Sequence, residues 1–221
     1  MVGIIALMLL GAVVFAVALA SAAARAERVR QEMLWNWAVA QGWSFQVRGS
    51  ARWAARLPGL RRRRLGVTMT GWLGGRPVTV AEYSYDTEHG SSSGSDGSTT
   101  WTTHHFIAVM VLLHRPYPAI SIQPRGAFSQ LGRAIFGDKP TATGNGSFDS
   151  RFRIKCGDPV AAKALVGPAL IDAQMAGAVP PWSLVGAELL SCTAVSGKLR
   201  DPNMIFAHAA PLVRVADLLG R

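Results

Sequence analysis

The residues in this chain whose types can do chemistry fall into four small groups. They are a G-x-S-x-G match at Gly90-Ser91-Ser92-Ser93-Gly94, the histidines His104, His105 and His114, the cysteines Cys156 and Cys192, and the pairs Asp158-Pro159 and Asp201-Pro202. In hydrolases G-x-S-x-G is a strained strand-to-helix turn that exposes a nucleophilic serine. Here the match lies inside a Gly/Ser-rich run with no helical pattern after it, so composition accounts for it. His104 and His105 are neighbours in a segment that reads as a strand. Successive strand side chains point to opposite faces, which keeps the two from one metal ion. His114 shares the parity of His104 but lies roughly 33 Å along the strand. Each aspartate before a proline is read as a helix cap rather than as a general acid or base, since the carboxylate accepts first-turn N–H groups and proline suits the first helical position.

Two cysteines and no CxxC pair exclude a disulfide-stapled scaffold and a four-cysteine zinc site. Cys156 and Cys192 are expected to be core thiols, kept reduced in a cytoplasmic domain even if their strands pair. No Walker A loop, dinucleotide fingerprint, HExxH helix or EF-hand loop is present, so no cofactor and no metal are expected and an enzyme is the weaker class.

Any such residues must be positioned by the chain as a whole, which holds 221 residues, 49% of them hydrophobic, with a formal charge of +10. That composition excludes disorder, collagen and coiled coil, and the length suits one domain beside one apolar segment. Residues 1–24 carry no charged side chain. Some 20 apolar residues span a bilayer core of about 30 Å, so this segment reads as a transmembrane helix. Small-residue sites at Ala18-Leu19-Ala20 and Ala22-Ala23-Ala24 offer the rival reading of a cleaved signal and an extracytoplasmic domain. Against it, no Lys or Arg precedes the segment, whereas Arg25, Arg28 and Arg30 follow it at once. The positive-inside rule then sets the N-terminus outside and the C-terminal portion in the cytoplasm.

Residues 25–64 hold ten Arg against Glu27 and Glu32, or +8, which is most of the excess; the remaining 13 basic and 11 acidic groups leave residues 65–221 at +2. Basic residues just cytoplasmic of a membrane helix gain on the order of 1 kcal/mol each from anionic headgroups. Arg25, Arg28, Arg30, Arg61, Arg62, Arg63 and Arg64 are therefore the candidate lipid contacts, and the bilayer the expected partner. With the domain nearly neutral, nucleic acid is not an expected partner.

Residues 25–42 read as a basic juxtamembrane helix that continues the anchor, with Val29, Met33 and Trp37 as its inward stripe, Trp35 and Trp37 as packing residues and Gly42 as its stop. Residues 43–221 read as one cytoplasmic α+β domain with a mostly antiparallel sheet. Trp43 to Val47 is a first strand, and Arg61 to Arg64 an exposed connection. Leu65 to Leu73 and Pro77 to Asp86 form a hairpin about Gly74-Gly75. Ser91 to Ser98 is a polar loop. Trp101 to His114 is a central strand, apolar on both faces, followed by a short partner strand at Ile120 and Ile122. Phe128, Leu131 and Ile135 suggest a short helix, Lys139 to Gly146 a soft loop, and Phe152 to Cys156 a strand. A second hairpin is expected over Trp182 to Val185 and Leu189 to Val195, bent at Gly186. Helices follow both Asp-Pro pairs, with Pro168 and Pro211 expected to kink or interrupt them.

The order of these features resembles a set of uncharacterised single-pass membrane proteins of actinobacteria. It rests on the apolar N-terminus, Trp37-Ala38, Gly42-Trp43, Tyr83-Ser84-Tyr85, Thr103-His104, Phe148 to Arg153, Asp158-Pro159, Trp182 and Gly186 to Leu190. The resemblance implies the topology and brings no established activity. The function expected is a membrane-tethered binding or scaffold module whose basic segment meets anionic lipid. The alternatives are a hydrolase or metal-dependent enzyme built from scattered residues, or an extracytoplasmic domain.

Overall fold

A computed structural model describes residues 2–90, 99–125 and 140–220. The expected loop at Ser91 to Ser98, the serines of the G-x-S-x-G match and the helix at Phe128 to Ile135 lie outside the described residues. The architecture is α+β: a long N-terminal helix, an antiparallel sheet of seven strands, and helices packed on it.

Helix α1 runs unbroken from Val2 to Ala40. Among the described residues one helix, over Leu10–Ala40, is long and apolar enough to cross a membrane. Gly42 ends α1 at a φ of +68°, and the Trp43 N–H reaches back to the Ala38 carbonyl at 2.7 Å. Only glycine adopts that left-handed geometry freely.

The expected inward stripe of α1 is corrected. The positions that pack are Arg30, Leu34 and Ala38, whereas Val29 and Met33 are 61% and 41% exposed. Arg30 is drawn inward by the Glu82 carboxylate and the Leu199 carbonyl. Of the expected stripe Trp37 alone packs, meeting Trp43 and Phe206 edge-on with ring centroids 5.7 and 5.1 Å away. Trp35, expected to pack, is 50% exposed on another side.

The strands are β1 (Ser44–Gln46), β2 (Arg61–Leu73), β3 (Arg76–Gly90), β4 (Thr99–Pro124), β5 (Pro140–Thr141), β6 (Phe152–Cys156) and β7 (Trp182–Val195). The order is β1-β2-β3-β4-β6-β5, with β7 on the other edge of β4. The β2–β3 turn is Gly74-Gly75, both at positive φ, as a tight hairpin requires.

Three strand expectations are corrected. Arg61 to Arg64 open β2 instead of forming a connection, with an irregular register at Arg61/Arg64 and Arg62 at a φ of +49°. Ile120 and Ile122 continue β4 instead of forming a strand of their own. The segment Arg115-Pro116-Tyr117-Pro118 between them cannot pair fully, since proline has no N–H, and the register against β7 shifts there. The expected second hairpin is one strand, β7. Gly186, at a φ of +60°, pairs with Tyr117 and absorbs the irregularity in place of a turn.

Among the described residues four helices follow on the sheet: α2 (Gly146–Arg151), α3 (Pro159–Leu165), α4 (Pro168–Met175) and α5 (Asn203–Leu218). Asp158 caps α3 through the Val160 and Ala161 N–H groups. Asp201 accepts from the Asn203 N–H at 2.9 Å. Pro168 starts α4, whereas α5 continues through Pro211. Helix α2 begins at Gly146, the last residue of the expected soft loop, where Asp149 gathers the Thr143 and Gly144 N–H groups and Asn145 caps the helix.

The main core joins Leu34 and Ala38 of α1 to one sheet face and to α2–α5. A smaller cluster of Trp53, Leu57, Ala81, Tyr83, Ala108 and Leu190 fills the opposite face beneath the 3₁₀ turn Arg52–Arg56. Cys156 belongs to the first cluster and Cys192 packs against the second. They pair with Ile120 and Ala108 of β4, so roughly 40 Å of strand separates their rows.

Candidate functional site

The densest set of charged groups lies where α1 crosses β2, β3 and the turn after β7. Arg30 is buried, and its Nη1 donates to Glu82 Oε1 at 2.6 Å and to the Leu199 carbonyl at 2.7 Å. Its Nη2 donates to Glu27 Oε1 at 2.7 Å. Glu82 also accepts from the Val67 and Leu199 N–H groups at 3.2 and 2.8 Å. A buried carboxylate with these partners stays satisfied while charged. Glu27, bonded by Arg30, Gln31 and Lys198 despite some burial, has its carboxyl pulled down to about 2. Of the candidate lipid contacts, Arg30 is thus the one whose guanidinium is held by two carboxylates and a carbonyl.

The other candidates stay on the surface. Arg25 and Arg28 are exposed. Arg61 pairs with Glu88, and Arg64 donates to Asp86 at 3.0 Å. Arg62 lies 3.9 Å from Asp86 and stacks over Trp101 at 4.1 Å. Arg63 is drawn to the opposite sheet face, donating to Tyr83 Oη at 2.9 Å and to the Leu57 carbonyl at 3.1 Å. Three further basic residues join this region without having been singled out in the sequence: Arg48, Lys198 and Arg200. Arg48 comes from the segment after β1 and the other two from the turn after β7, so no single local run marks them.

Two grooves flank the Arg30 network. One, of about 570 Å³, is lined by Arg48, Arg64, His105, Thr103, Glu82 and Lys198 among others. The second, of about 550 Å³, runs along α1 between Ala23, Ala26, Val29 and Met33 on one side and Lys198 and Arg200 on the other. The two share Glu27, Arg30 and Lys198.

The residues weighed for catalysis do not converge. His104 stacks on Tyr85 and its Nε2 lies 2.9 Å from Thr87 Oγ1, on the face opposite His105. His114 is exposed ten residues further along β4 than His104. Asp149 and Asp158 hold backbone N–H groups. Among the described residues no three His, Cys, Asp or Glu side chains are placed to hold a metal. One cluster escaped the sequence reading. Lys155 on β6 faces Ser121 on β4, which faces Ser183 on β7. All three are buried, and both hydroxyls lack a hydrogen-bond partner among the described residues. Nothing in the pattern of β6 separates this lysine from an outward-facing one.

With this geometry in place, comparison with known proteins adds one likeness. No family model and no curated protein matches the chain. Among solved structures, the crystal structure of the mycobacterial trehalose monomycolate transport factor A, TtfA, is similar with a TM-score of 0.51 and 12% identity, over 86% of this chain and 94% of that one. The likeness is one of fold. It gives the fold a precedent in a mycobacterial protein.

Proposed function

We propose that this chain is a non-catalytic, single-pass membrane-tethered scaffold or binding module. Residues 1–24 are the anchor with its N-terminus outside, residues 25–42 the basic juxtamembrane helix, and residues 43–221 the cytoplasmic domain. The observation that carries this reading is the ion pair between Glu82 on β3 and Arg30 of α1, a helix continuous with the apolar segment. It couples anchor and sheet as one body, which a passive tether to a soluble enzyme does not need. The similar solved structure is described as a transport factor, with which a non-enzymatic role is compatible.

The same surface supports contact with anionic headgroups. Gly71 lies against Trp43 just past the end of α1, and Val67 shares Glu82 with Arg30. Travelling down β2 from Gly71 through Val67 to Arg61 is thus travelling toward the apolar end of α1. Arg61, Arg62 and Arg64 join Arg25 and Arg28 there as a collar, in a place where each charge near an anionic surface gains about 1 kcal/mol.

A gene-deletion strain complemented with variants tests the reading. A chain whose residues 1–24 are replaced by an unrelated single-pass helix of the same orientation restores the wild-type phenotype, and a soluble chain starting at Arg25 does not. Alanine at His104, His105, His114, Asp149 or Asp158 leaves complementation intact. Loss of complementation in those variants supports an enzyme instead. Alkaline phosphatase activity from a reporter fused after Arg221, or cleavage between Ala20 and Ser21, overturns the orientation.

A further inference from the structure

We propose that the groove between α1 and the Lys198–Arg200 turn holds a single anionic phospholipid, its phosphate at Lys198 and Arg200 and an acyl chain along Ala26, Val29 and Met33. This deepens the tethering reading and rests on it, because the anchor is what brings the groove to a bilayer.

The groove has two chemically distinct walls. Its helix wall is Ala23, Ala26, Val29 and Met33, and its opposite rim carries Lys198 and Arg200. Lys198 lies 3.1 Å from Glu27, and Arg200 is exposed with no ion pair among the described residues. With Arg30 and Glu27, the groove's charged lining adds to +2, complementary to one phosphodiester. Val29 and Met33 sit beyond Arg25 and Arg28, past the apolar segment, yet they face outward. Apolar surface left in water costs about 25 cal/mol per Å², so an apolar strip leading away from a membrane calls for a cover.

Its position names that cover. Ala23 belongs to the uncharged segment, and Met33 lies ten residues further on, about 15 Å at the rise of an α-helix. The strip therefore starts at the bilayer surface and ends a few turns outside it. An acyl chain of a lipid still rooted in that leaflet reaches it, whereas a partner helix has only about 15 Å of strip against which to pack.

The test counts bound lipid on the full chain by native mass spectrometry, after release from micelles doped with phosphatidylglycerol, with phosphatidylcholine or with inorganic phosphate. One retained phosphatidylglycerol is expected, and little retention of phosphatidylcholine. Lys198→Gln with Arg200→Gln lowers occupancy by about tenfold or more, as loss of two headgroup charges predicts. Met33→Glu or Val29→Glu, at exposed positions where folding is retained, removes the lipid by charging the acyl wall. The fourfold change of Arg61 to Arg64 into Gln leaves this one lipid in place. Lipid loss only in that fourfold variant overturns the groove while sparing the collar reading. Equal retention of both lipids, displacement by inorganic phosphate, or full occupancy in the groove variants also overturns it.

Discussion

Arg30 Nη1 stands 2.6 Å from Glu82 Oε1, an ion pair between residues 52 apart in sequence that ties the rod of α1 to the middle of β3. Both partners are largely withdrawn from water, and their remaining hydrogen-bonding capacity is met by Glu27, Val67 and Leu199. A buried pair of this kind is strongly destabilising to break and nearly neutral to replace by a packed apolar pair.

Glu82→Gln should therefore lower unfolding stability by about 1–3 kcal/mol, since it removes one of the guanidinium's two carboxylate partners while Glu27 and the Leu199 carbonyl remain. Arg30→Leu combined with Glu82→Leu should cost much less than the sum of the single changes. A urea-denaturation double-mutant cycle on the chain in micelles measures the coupling. Additive costs would show that the two side chains do not act together.

Glu27 supplies the pH dependence of the same junction. Its carboxyl falls from the model-compound value of 4.5 to about 2, chiefly through the Arg30 hydrogen bond. A depressed acid contributes stability that is present above the unfolded value and lost as pH falls through the folded one. Stability should hold down to about pH 4.5 and decline from there toward pH 2. Glu27→Gln should flatten that part of the curve, read as thermal midpoint against pH.

Lys155 makes the opposite prediction. It is 8% exposed and has neither an ion pair nor a hydrogen bond among the described residues, beside the unpartnered hydroxyls of Ser121 and Ser183. Burying an unpaired ammonium is costly, so Lys155→Met should raise the thermal midpoint by several degrees. Complementation decides its meaning: a stabilised and functional variant makes the lysine dispensable, and a stabilised but inactive one assigns it chemistry with the two serines.

Gly71 tests the seat of the aromatic cluster. A Cβ there would lie 2.3 Å from the Trp43 ring, so the indole must move. Gly71→Ala should cost about 1–3 kcal/mol, the usual range for overpacking. It should also change near-ultraviolet circular dichroism. An unchanged spectrum and midpoint would show that Trp43 has room to yield.

Cys192 is shielded. Burial pushes its thiol up to about 12. A raised acid contributes stability that is present below its unfolded value of about 9 and lost as pH rises toward 12. Alkylation of the native chain at pH 8 should be much slower at Cys192 than in denaturant, as peptide mapping reads. Equal rates would place the thiol in solvent.

Much of this architecture is legible in the sequence because it rests on local rules. Gly74-Gly75 makes a hairpin since only glycine takes both positive φ values cheaply, and Asp158 before Pro159 starts a helix whatever surrounds it. The uncharged residues 1–24 and the arginines after them are read directly from composition. Tertiary structure decided what local rules leave open. Val29-Met33-Trp37 and Arg30-Leu34-Ala38 are neighbouring stripes of one helix, and periodicity favours the more apolar. The second faces inward because Glu82, Val67 and Leu199 supply the carboxylate and the partners that make a buried arginine tolerable. Gly186 reads equally as a turn or a bulge, and its pairing with Tyr117 beside two prolines chose the bulge. Lys198 and Arg200 lie far from the arginine run in sequence, and only chain reversal after β7 brings them to α1. A charge declares its own sign, but its neighbours in space decide whether it is a partner or a surface.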